Sequence, residues 1–249
     1  MPQNARTVDE EEIAKFSSRA DAWWDDSGAF APLHDITPLR IGYIRDRICT
    51  STGRDTSSPL PLNGLSLLDV GCGGGLASEP LARLGAHVEG IDASEENITI
   101  ARIHAERMGL AIDYHATTAE AWVEKSMCYD AVIALEMIEH VADVQLLLSS
   151  LVQLTKPNGL IILSTINRTL SSLLLAKYTA EYILRWVPRG THDWNRFLRP
   201  SELIMPLEEL GCSLEHMSGM RYAPLARTWE LAPDALSMNY LICMKKIDH

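Results

Sequence analysis

Two acids and a histidine stand close together near the middle of the chain, at Glu136, Glu139 and His140. They follow the apolar run Tyr129–Leu135, and their spacing places all three on one face if the segment is helical. Two carboxylates and an imidazole can bind a divalent metal ion, and a histidine oriented by a glutamate can act as a general base. The non-catalytic alternative is that these residues form a capped helix start with a buried, hydrogen-bonded histidine. The residues alone leave all three interpretations open.

A second candidate site is the glycine-rich stretch Asp69–Gly75, which includes Gly71, Gly73 and Gly75. It lies between a short apolar run and a segment of helical spacing, which is where open α/β sheets bind nucleotides. The third glycine of a dinucleotide fingerprint is replaced by Leu76, and the chain has no phosphate-binding P-loop. The loop carries no lysine or arginine, and Asp69 suits a cationic ligand. A purely structural turn is the alternative.

A third candidate is Asp92, which ends an apolar run 21 residues beyond Gly71. This spacing puts a carboxylate at the carboxyl end of the neighbouring strand, where it can accept hydrogen bonds from both ribose hydroxyls of a nucleoside. Asp92 could instead cap the predicted helix Glu95–Met108, and Ser94 competes for that position.

Apolar runs that alternate with helical segments must position these residues. Alternation of this kind predicts a parallel sheet in an α/β fold. A loose hairpin is expected to join the last two strands, since prolines lie between them. The predicted strands are Leu65–Val70, Ala86–Asp92, Ile112–His115, Tyr129–Leu135, Leu160–Ile166, Cys212–Tyr222 and Ser237–Lys245.

The chain before the first strand is predicted to be a helical arm with a linker, residues 1–64, ahead of a domain at 65–249. Helical spacing over Glu10–Trp24 predicts a lid that packs its two tryptophans on the domain. An irregular stretch should follow, and then a helix over Leu39–Cys49 capped by Thr37 with Pro38 at its first position. A solvated linker is expected at Thr50–Asn63.

Composition limits the function classes. The net charge of −11 argues against nucleic acid as a substrate. Five scattered cysteines are typical of reduced thiols in a cytoplasmic protein, and no apolar run is long enough to span a membrane. Residues 168–199, however, hold six basic and two acidic side chains, a local charge of +4. A basic segment in an acidic protein is a candidate contact for anionic lipid.

Several separated segments resemble the O-methyltransferase family of ubiquinone biosynthesis, within the class I S-adenosylmethionine-dependent methyltransferases. The segments are Phe16 with Trp23 and Trp24, Pro38–Tyr43, Asp69–Gly75, Glu136–Val141, Thr165–Arg168 and Ala180–Asp193, and the resemblance covers nearly the whole chain. It implies a doubly wound, mostly parallel seven-stranded sheet with an antiparallel last strand and a helical insertion after the fifth strand. It also implies methylation of phenolic hydroxyls on polyprenylated ubiquinone precursors, 2-polyprenyl-6-hydroxyphenol and 3-demethylubiquinol.

The resemblance also assigns cofactor contacts. Gly71 and its neighbours would lie under the methionine moiety of S-adenosylmethionine, and Arg40 would face its carboxylate. Leu135 would lie beside the adenosyl group, and Ala119 and Glu120 would contact the adenine. The implied setting is the cytoplasmic face of the inner membrane, within a complex of ubiquinone-biosynthesis enzymes.

A phenol with a pKa of about 10 needs roughly 4 kcal/mol to ionise at pH 7. Two arrangements would promote this ionisation. One is Mg²⁺ or Zn²⁺ bound at Glu136, Glu139 and His140, and the other is His140 acting as general base. Leu170–Val187 is amphipathic, about 27 Å long as a helix, and is expected to lie flat on the membrane, with a core helix as alternative. Two other functions stay open: a methyltransferase of a soluble phenol or quinone, and a non-catalytic cofactor-binding regulator.

Overall fold

The computed structural model describes residues 7, 9, 13, 23–28, 30–169, 172, 194–223, 226 and 228–248. Within them, helices and strands alternate as far as the fifth strand. Short 3₁₀ helices lie at Ile138–His140 and Trp194–Arg196. The helices are α1 Ala31–Thr52, α2 Ser78–Arg83, α3 Glu95–Arg107, α4 Ala119–Val123, α5 Val144–Leu154 and α6 Pro200–Glu209. The strands are β1 Ser66–Val70, β2 His87–Asp92, β3 Asp113–Ala116, β4 Tyr129–Leu135, β5 Thr155–Ile166, β6 Cys212–Ala223, β7 Thr228–Ala232 and β8 Asn239–Lys246.

The strands form one sheet in the order β3-β2-β1-β4-β5-β8-β6-β7. Strands β1 to β5 are parallel to one another, and β8 runs antiparallel between β5 and β6. The predicted α/β class and the antiparallel last strand are therefore confirmed. Because β1 pairs with both β2 and β4, the strand order reverses at the β1/β4 boundary. In open sheets, the carboxyl ends of the strands at such a boundary flank the ligand crevice.

Helices cover both faces of this sheet. On one face, Leu148 and Leu151 of α5 and Leu203 of α6 pack in a buried cluster with the central strands. On the other face, Ile44 of α1 and Leu81 of α2 belong to a second buried cluster. Strands buried on both faces need nearly continuous apolar sequence, which is why their positions can be read from the sequence.

The first helix is longer than predicted. Residues 32–38 are helical rather than irregular, and Pro38 lies inside α1 instead of at its start. An internal proline costs about 3 kcal/mol. Buried side chains before and after it, including Ile36, Ile41 and Ile44, offset this cost because they continue one apolar helical face. The prediction of a new helix start at Thr37 was wrong; its hydroxyl donates to the Leu33 carbonyl, one turn earlier.

The sheet also has one strand more than the seven predicted. Residues 228–232 form β7, which pairs antiparallel with β6 at the edge of the sheet, where a loose hairpin was expected. Tyr222 and Trp229 face each other across this pair with ring centroids 5.6 Å apart. Cross-strand aromatic pairs stabilise a hairpin, and Pro233 directly follows the strand without interrupting it.

Two predicted segments lie mainly outside the described residues. These are the arm helix Glu10–Trp24 and the amphipathic segment Leu170–Val187. Within the part of the chain that the structure describes, every helix is too short or too polar to cross a bilayer.

Candidate active site

The carboxyl ends of β1, β2 and β4 open into a cleft of about 200 Å³. The cleft gathers predicted residues from distant parts of the chain, as the switch in strand order requires. It is lined by the predicted residues Arg40, Asp69, Gly71, Gly73, Asp92, Ala119, Leu135, Glu136 and His140. Gly75, Glu120 and Glu139 are not among its lining residues.

The glycines of the loop make room for side chains that close over it. A Cβ on Gly73 or Gly74 would lie 2.5 Å from atoms of Trp23, and one on Gly71 would lie 2.9 Å from Met137. Gly71 and Gly73 also have positive φ angles of 70° and 53°. Gly75 packs against Tyr114, away from the cleft. The predicted strand–glycine loop–helix arrangement is therefore present, and its glycines also serve contacts within the protein.

Asp69 is buried at the end of β1, beneath the loop. Its Oδ2 accepts a hydrogen bond of 2.6 Å from the Ser78 hydroxyl. Burial raises the pKa of Asp69 to about 7, and the negative charge of Asp92 adds to the rise. An acid with this pKa changes its charge near neutral pH and is sensitive to any cation placed in the cleft.

Asp92 is held by three donors at the end of β2. Its Oδ1 accepts from the Ser94 N–H at 2.8 Å and the Asn97 side chain at 3.3 Å, and its Oδ2 accepts from the Gly73 N–H at 2.9 Å. Ser94, rather than Asp92, is the cap of α3, since its hydroxyl accepts from the Asn97 N–H. A carboxylate oxygen can accept two hydrogen bonds, so Oδ2 can accept one more.

Trp23 and Trp24 cover the glycine loop. Trp23 stacks on Phe30 with ring centroids 4.0 Å apart and donates to the Asn97 side-chain oxygen at 2.9 Å. Trp24 donates to the Gly74 carbonyl at 3.0 Å. The predicted packing of the two tryptophans on the domain is therefore present. The contact between Trp23 and Asn97 was not foreseen, because no local pattern links residues 74 positions apart.

Glu136 directly follows β4 and has a left-handed conformation, with a φ of 53°. Such a backbone is costly for a residue with a side chain and persists where its surroundings fix it. The Glu136 N–H donates to the Ser164 carbonyl at 2.9 Å. Its carboxylate pairs with Arg40, Nη2 to Oε1 at 2.7 Å, and also accepts from Ser164 and Asn239. Arg40 was expected to face a ligand, and its pairing with Glu136 was not predicted.

Glu139 and His140 diverge because the segment is a short 3₁₀ helix rather than an α-helix. Glu139 is buried and accepts from the Thr165 hydroxyl at 2.7 Å. Burial, followed by the charge of Glu136, raises the pKa of Glu139 to about 8. His140 lines the cleft. The expectation that all three side chains share one face is therefore wrong.

These positions do not fit the predicted metal site. Glu136 is paired with Arg40, and the buried carboxylate of Glu139 accepts a hydrogen bond from the Thr165 hydroxyl of β5. Among the described residues, no three His, Cys, Asp or Glu side chains are grouped so as to hold a metal ion. Of the predicted set, Glu136 and His140 line the cleft, and Glu136 is paired there with Arg40.

Residues near the start of the chain close one side of the cleft. Thr7 donates to the Glu120 carboxylate through its N–H at 3.0 Å and its hydroxyl at 2.6 Å. Asp9 pairs with Arg196 at 2.8 Å. Both Thr7 and Asp9 line the cleft. The carboxylate of Glu120, which was expected to contact the adenine, binds Thr7.

Comparisons with known proteins agree with this architecture. A methyltransferase-domain family model matches residues 41–217. The crystal structure of magnesium protoporphyrin IX methyltransferase from Synechocystis PCC 6803 with bound SAH aligns with a TM-score of 0.64, over 96% of this chain and 100% of that one. The two sequences are 19% identical, so this likeness concerns the fold alone.

Curated relatives are much more similar in sequence. A ubiquinone biosynthesis O-methyltransferase of Sinorhizobium fredii is 49% identical over 247 residues, which cover 99% of each chain. A protein of the same name from Dinoroseobacter shibae is 48% identical over 241 residues, 97% of each chain. Identity at this level over the full length leaves one assignment: the chain belongs to the family of ubiquinone biosynthesis O-methyltransferases.

Proposed function

We propose that this enzyme transfers a methyl group from S-adenosylmethionine to a phenolic hydroxyl of polyprenylated ubiquinone precursors, 2-polyprenyl-6-hydroxyphenol and 3-demethylubiquinol. The observation that carries the proposal is the cleft, in which Arg40, Asp69, Asp92 and His140 converge on the end of the sheet. The curated relatives, by their names, act in ubiquinone biosynthesis.

The side chains of the cleft fit the cofactor. Arg40 lines the cleft and is only 5% exposed. A guanidinium has five N–H donors, so its pairing with Glu136 leaves donors for the carboxylate of a methionine moiety. Asp92 has capacity to accept from a ribose hydroxyl, and Asp69 adds a buried acid suited to a cation. Arg40, Asp69, Asp92 and the glycine loop would therefore hold the cofactor.

His140 is proposed as the general base. When bound, the cofactor supplies an activated methyl group. The chain must then orient the phenol and accept its proton, a step that costs roughly 4 kcal/mol for a phenol with a pKa of about 10. An imidazole side chain can accept such a proton as the oxygen attacks. Glu136 cannot fill this role, because its carboxylate is engaged by three donors.

The proposed setting is a membrane surface. The substrates carry apolar polyprenyl chains, and residues 168–199 are basic within an acidic protein. The amphipathic sequence Leu170–Val187 would lie flat on anionic lipid on the cytoplasmic side and present the cleft to substrates dissolved in the bilayer.

Turnover of labelled cofactor with short-chain versions of both substrates tests the proposal. We expect methylation of the catechol hydroxyl by the wild type and a loss of at least about a hundredfold in kcat for His140→Ala. Methylation of soluble phenols alone, or cofactor binding without turnover, would favour the other functions. Chelator-sensitive turnover that Mg²⁺ restores would show that the Glu136, Glu139 and His140 side chains rearrange around a metal ion.

A further inference from the structure

The carboxylate of Glu136 joins four elements of the fold at the edge of the cleft. Its Oε1 pairs with Nη2 of Arg40, from α1, and accepts from the Ser164 hydroxyl of β5. Its Oε2 accepts from the Asn239 side chain of β8 at 3.2 Å. Glu136 itself follows β4. One carboxylate therefore ties the first described helix to three adjacent strands.

These contacts, together with one from its backbone, hold the side chain of Glu136 in place. The side chain is 17% exposed, and the backbone N–H is bonded to the Ser164 carbonyl. A positive φ of 53° at a residue with a long side chain is tolerated because these bonds hold it. The carboxylate is thus presented to Arg40 in one orientation.

Arg40 is the partner that such a support would orient. Arginine has several rotatable bonds, and ordering them is entropically costly. The bond to Glu136 occupies Nη2, and Arg40 lines the cleft. A guanidinium carries five N–H donors, so one bond to Glu136 leaves donors for a second carboxylate.

We propose that Glu136, fixed by Ser164 and Asn239, is a positioning residue that aims Arg40 at the carboxylate of the cofactor's methionine moiety. The inference rests on the proposed cofactor and assigns Glu136 a role in binding rather than in proton transfer. The direction in which cofactor affinity changes when Glu136 is neutralised distinguishes a positioning role from a simple charge effect. Glu136 and the cofactor carboxylate repel each other, so a purely electrostatic role predicts tighter binding when Glu136 is neutralised, whereas positioning predicts weaker binding.

The test compares two ligands that differ only in that carboxylate. Calorimetry would measure the affinities of S-adenosylhomocysteine and of its decarboxylated form, S-adenosyl-3-thiopropylamine. We expect Glu136→Gln to weaken binding of S-adenosylhomocysteine by at least about tenfold, because the aimed charge-assisted contact is lost. Binding of the decarboxylated ligand should change less than about twofold. The double variant Arg40→Met, Glu136→Gln should bind no worse than Arg40→Met alone.

Milder variants guard against loss of the fold, since breaking a buried ion pair is destabilising. Ser164→Ala and Asn239→Ala keep the pair and loosen its support. Each should weaken S-adenosylhomocysteine by about three- to tenfold and spare the decarboxylated ligand. Thr165→Val is the matched control, since it removes a neighbouring hydroxyl bonded to the buried Glu139 and should leave the ratio of the two affinities unchanged.

Three outcomes would overturn the inference: equal weakening of both ligands, tighter binding of S-adenosylhomocysteine, or additive losses in the double variant. Each presupposes that the wild type binds the ligands. A wild-type chain that bound neither ligand would instead contradict the proposed function.

Discussion

At the scale of single residues, the acids at the ends of β1 and β2 and the acids that follow β4 are held in place by different kinds of contact. Asp69 and Asp92 lie in the cleft because the ends of parallel strands meet at one edge of the sheet, which strand periodicity is enough to predict. The outcome at Glu139 depends on the left-handed backbone at Glu136 and on Thr165, a residue 26 positions away. No local sequence pattern encodes such a contact. The sequence alone therefore could not show that Glu139 is absent from the lining of the cleft.

The raised pKa of Asp69 leads to a prediction about stability. In the unfolded chain its pKa is about 3.9, and in the folded protein it is about 7. The fold therefore favours the protonated acid, and this contribution to stability is lost as the pH rises from about 4 to 7. Asp69→Asn keeps an acceptor for Ser78 and carries no charge at any pH.

We expect the thermal midpoint of Asp69→Asn without cofactor to match the wild type near pH 4 and to exceed it at pH 8 by on the order of 10 °C. Differential scanning calorimetry at both pH values measures this difference. A gap that is constant with pH would contradict the assignment of the titration to Asp69.

At the scale of elements, β4 and the start of α3 match the prediction, and the start of α1 does not. The bounds of β4 match the prediction, since a fully buried strand needs an unbroken apolar run. The predicted start of α1 is wrong because a local rule for proline favours a break at Pro38, whereas the buried Ile36 and Ile44 continue the helix across it. The edge strand β7 was missed because it is short and only half-buried.

The contact between Trp23 and α3 should matter for cofactor binding. Trp23 bonds to Asn97, whose side chain in turn donates to Asp92. Trp23→Phe keeps the stacking on Phe30 and removes the hydrogen bond, which frees Asn97 to turn away. We expect S-adenosylhomocysteine to bind about three- to tenfold more weakly.

The matched control is Trp24→Phe. It also removes an indole hydrogen bond to this region, the one to the Gly74 carbonyl, but leaves the link to Asp92 in place. Its affinity for S-adenosylhomocysteine should change less than that of Trp23→Phe. Equal losses in both variants would mean that general packing over the loop, and not the Asn97 link, sets the affinity.

At the scale of the whole molecule, charge is distributed unevenly. The net charge is −11, yet residues 168–199 carry +4. Repulsion from anionic lipid would keep such a protein in solution unless one segment is both basic and apolar. The sequence of Leu170–Val187 combines Lys177 and Arg185 with apolar side chains that include Leu174 and Trp186.

We therefore expect co-sedimentation with phosphatidylglycerol vesicles but not with phosphatidylcholine vesicles. Each basic side chain near the surface contributes about 1 kcal/mol, less as the salt concentration rises. Deletion of residues 170–187 should abolish sedimentation and leave cofactor affinity unchanged. Activity should fall most for long-chain substrates. Equal sedimentation by the deletion variant would exclude this segment as the membrane contact.

The packing of Trp23 on the glycine loop links two positions in evolution. Gly74 has no positive φ angle, so its backbone conformation does not itself require glycine. The obstacle to a side chain there is Trp23, whose Cβ and Cγ would both lie 2.5 Å from an added Cβ. Substitution at position 74 should thus be tolerated only alongside glycine at position 23, since every other residue keeps a Cβ. A double-mutant cycle measures this coupling: Gly74→Ala should lower the thermal midpoint strongly in the native background and little beside Trp23→Gly. Homologues that diverge at one of these two positions would then be expected to diverge at the other.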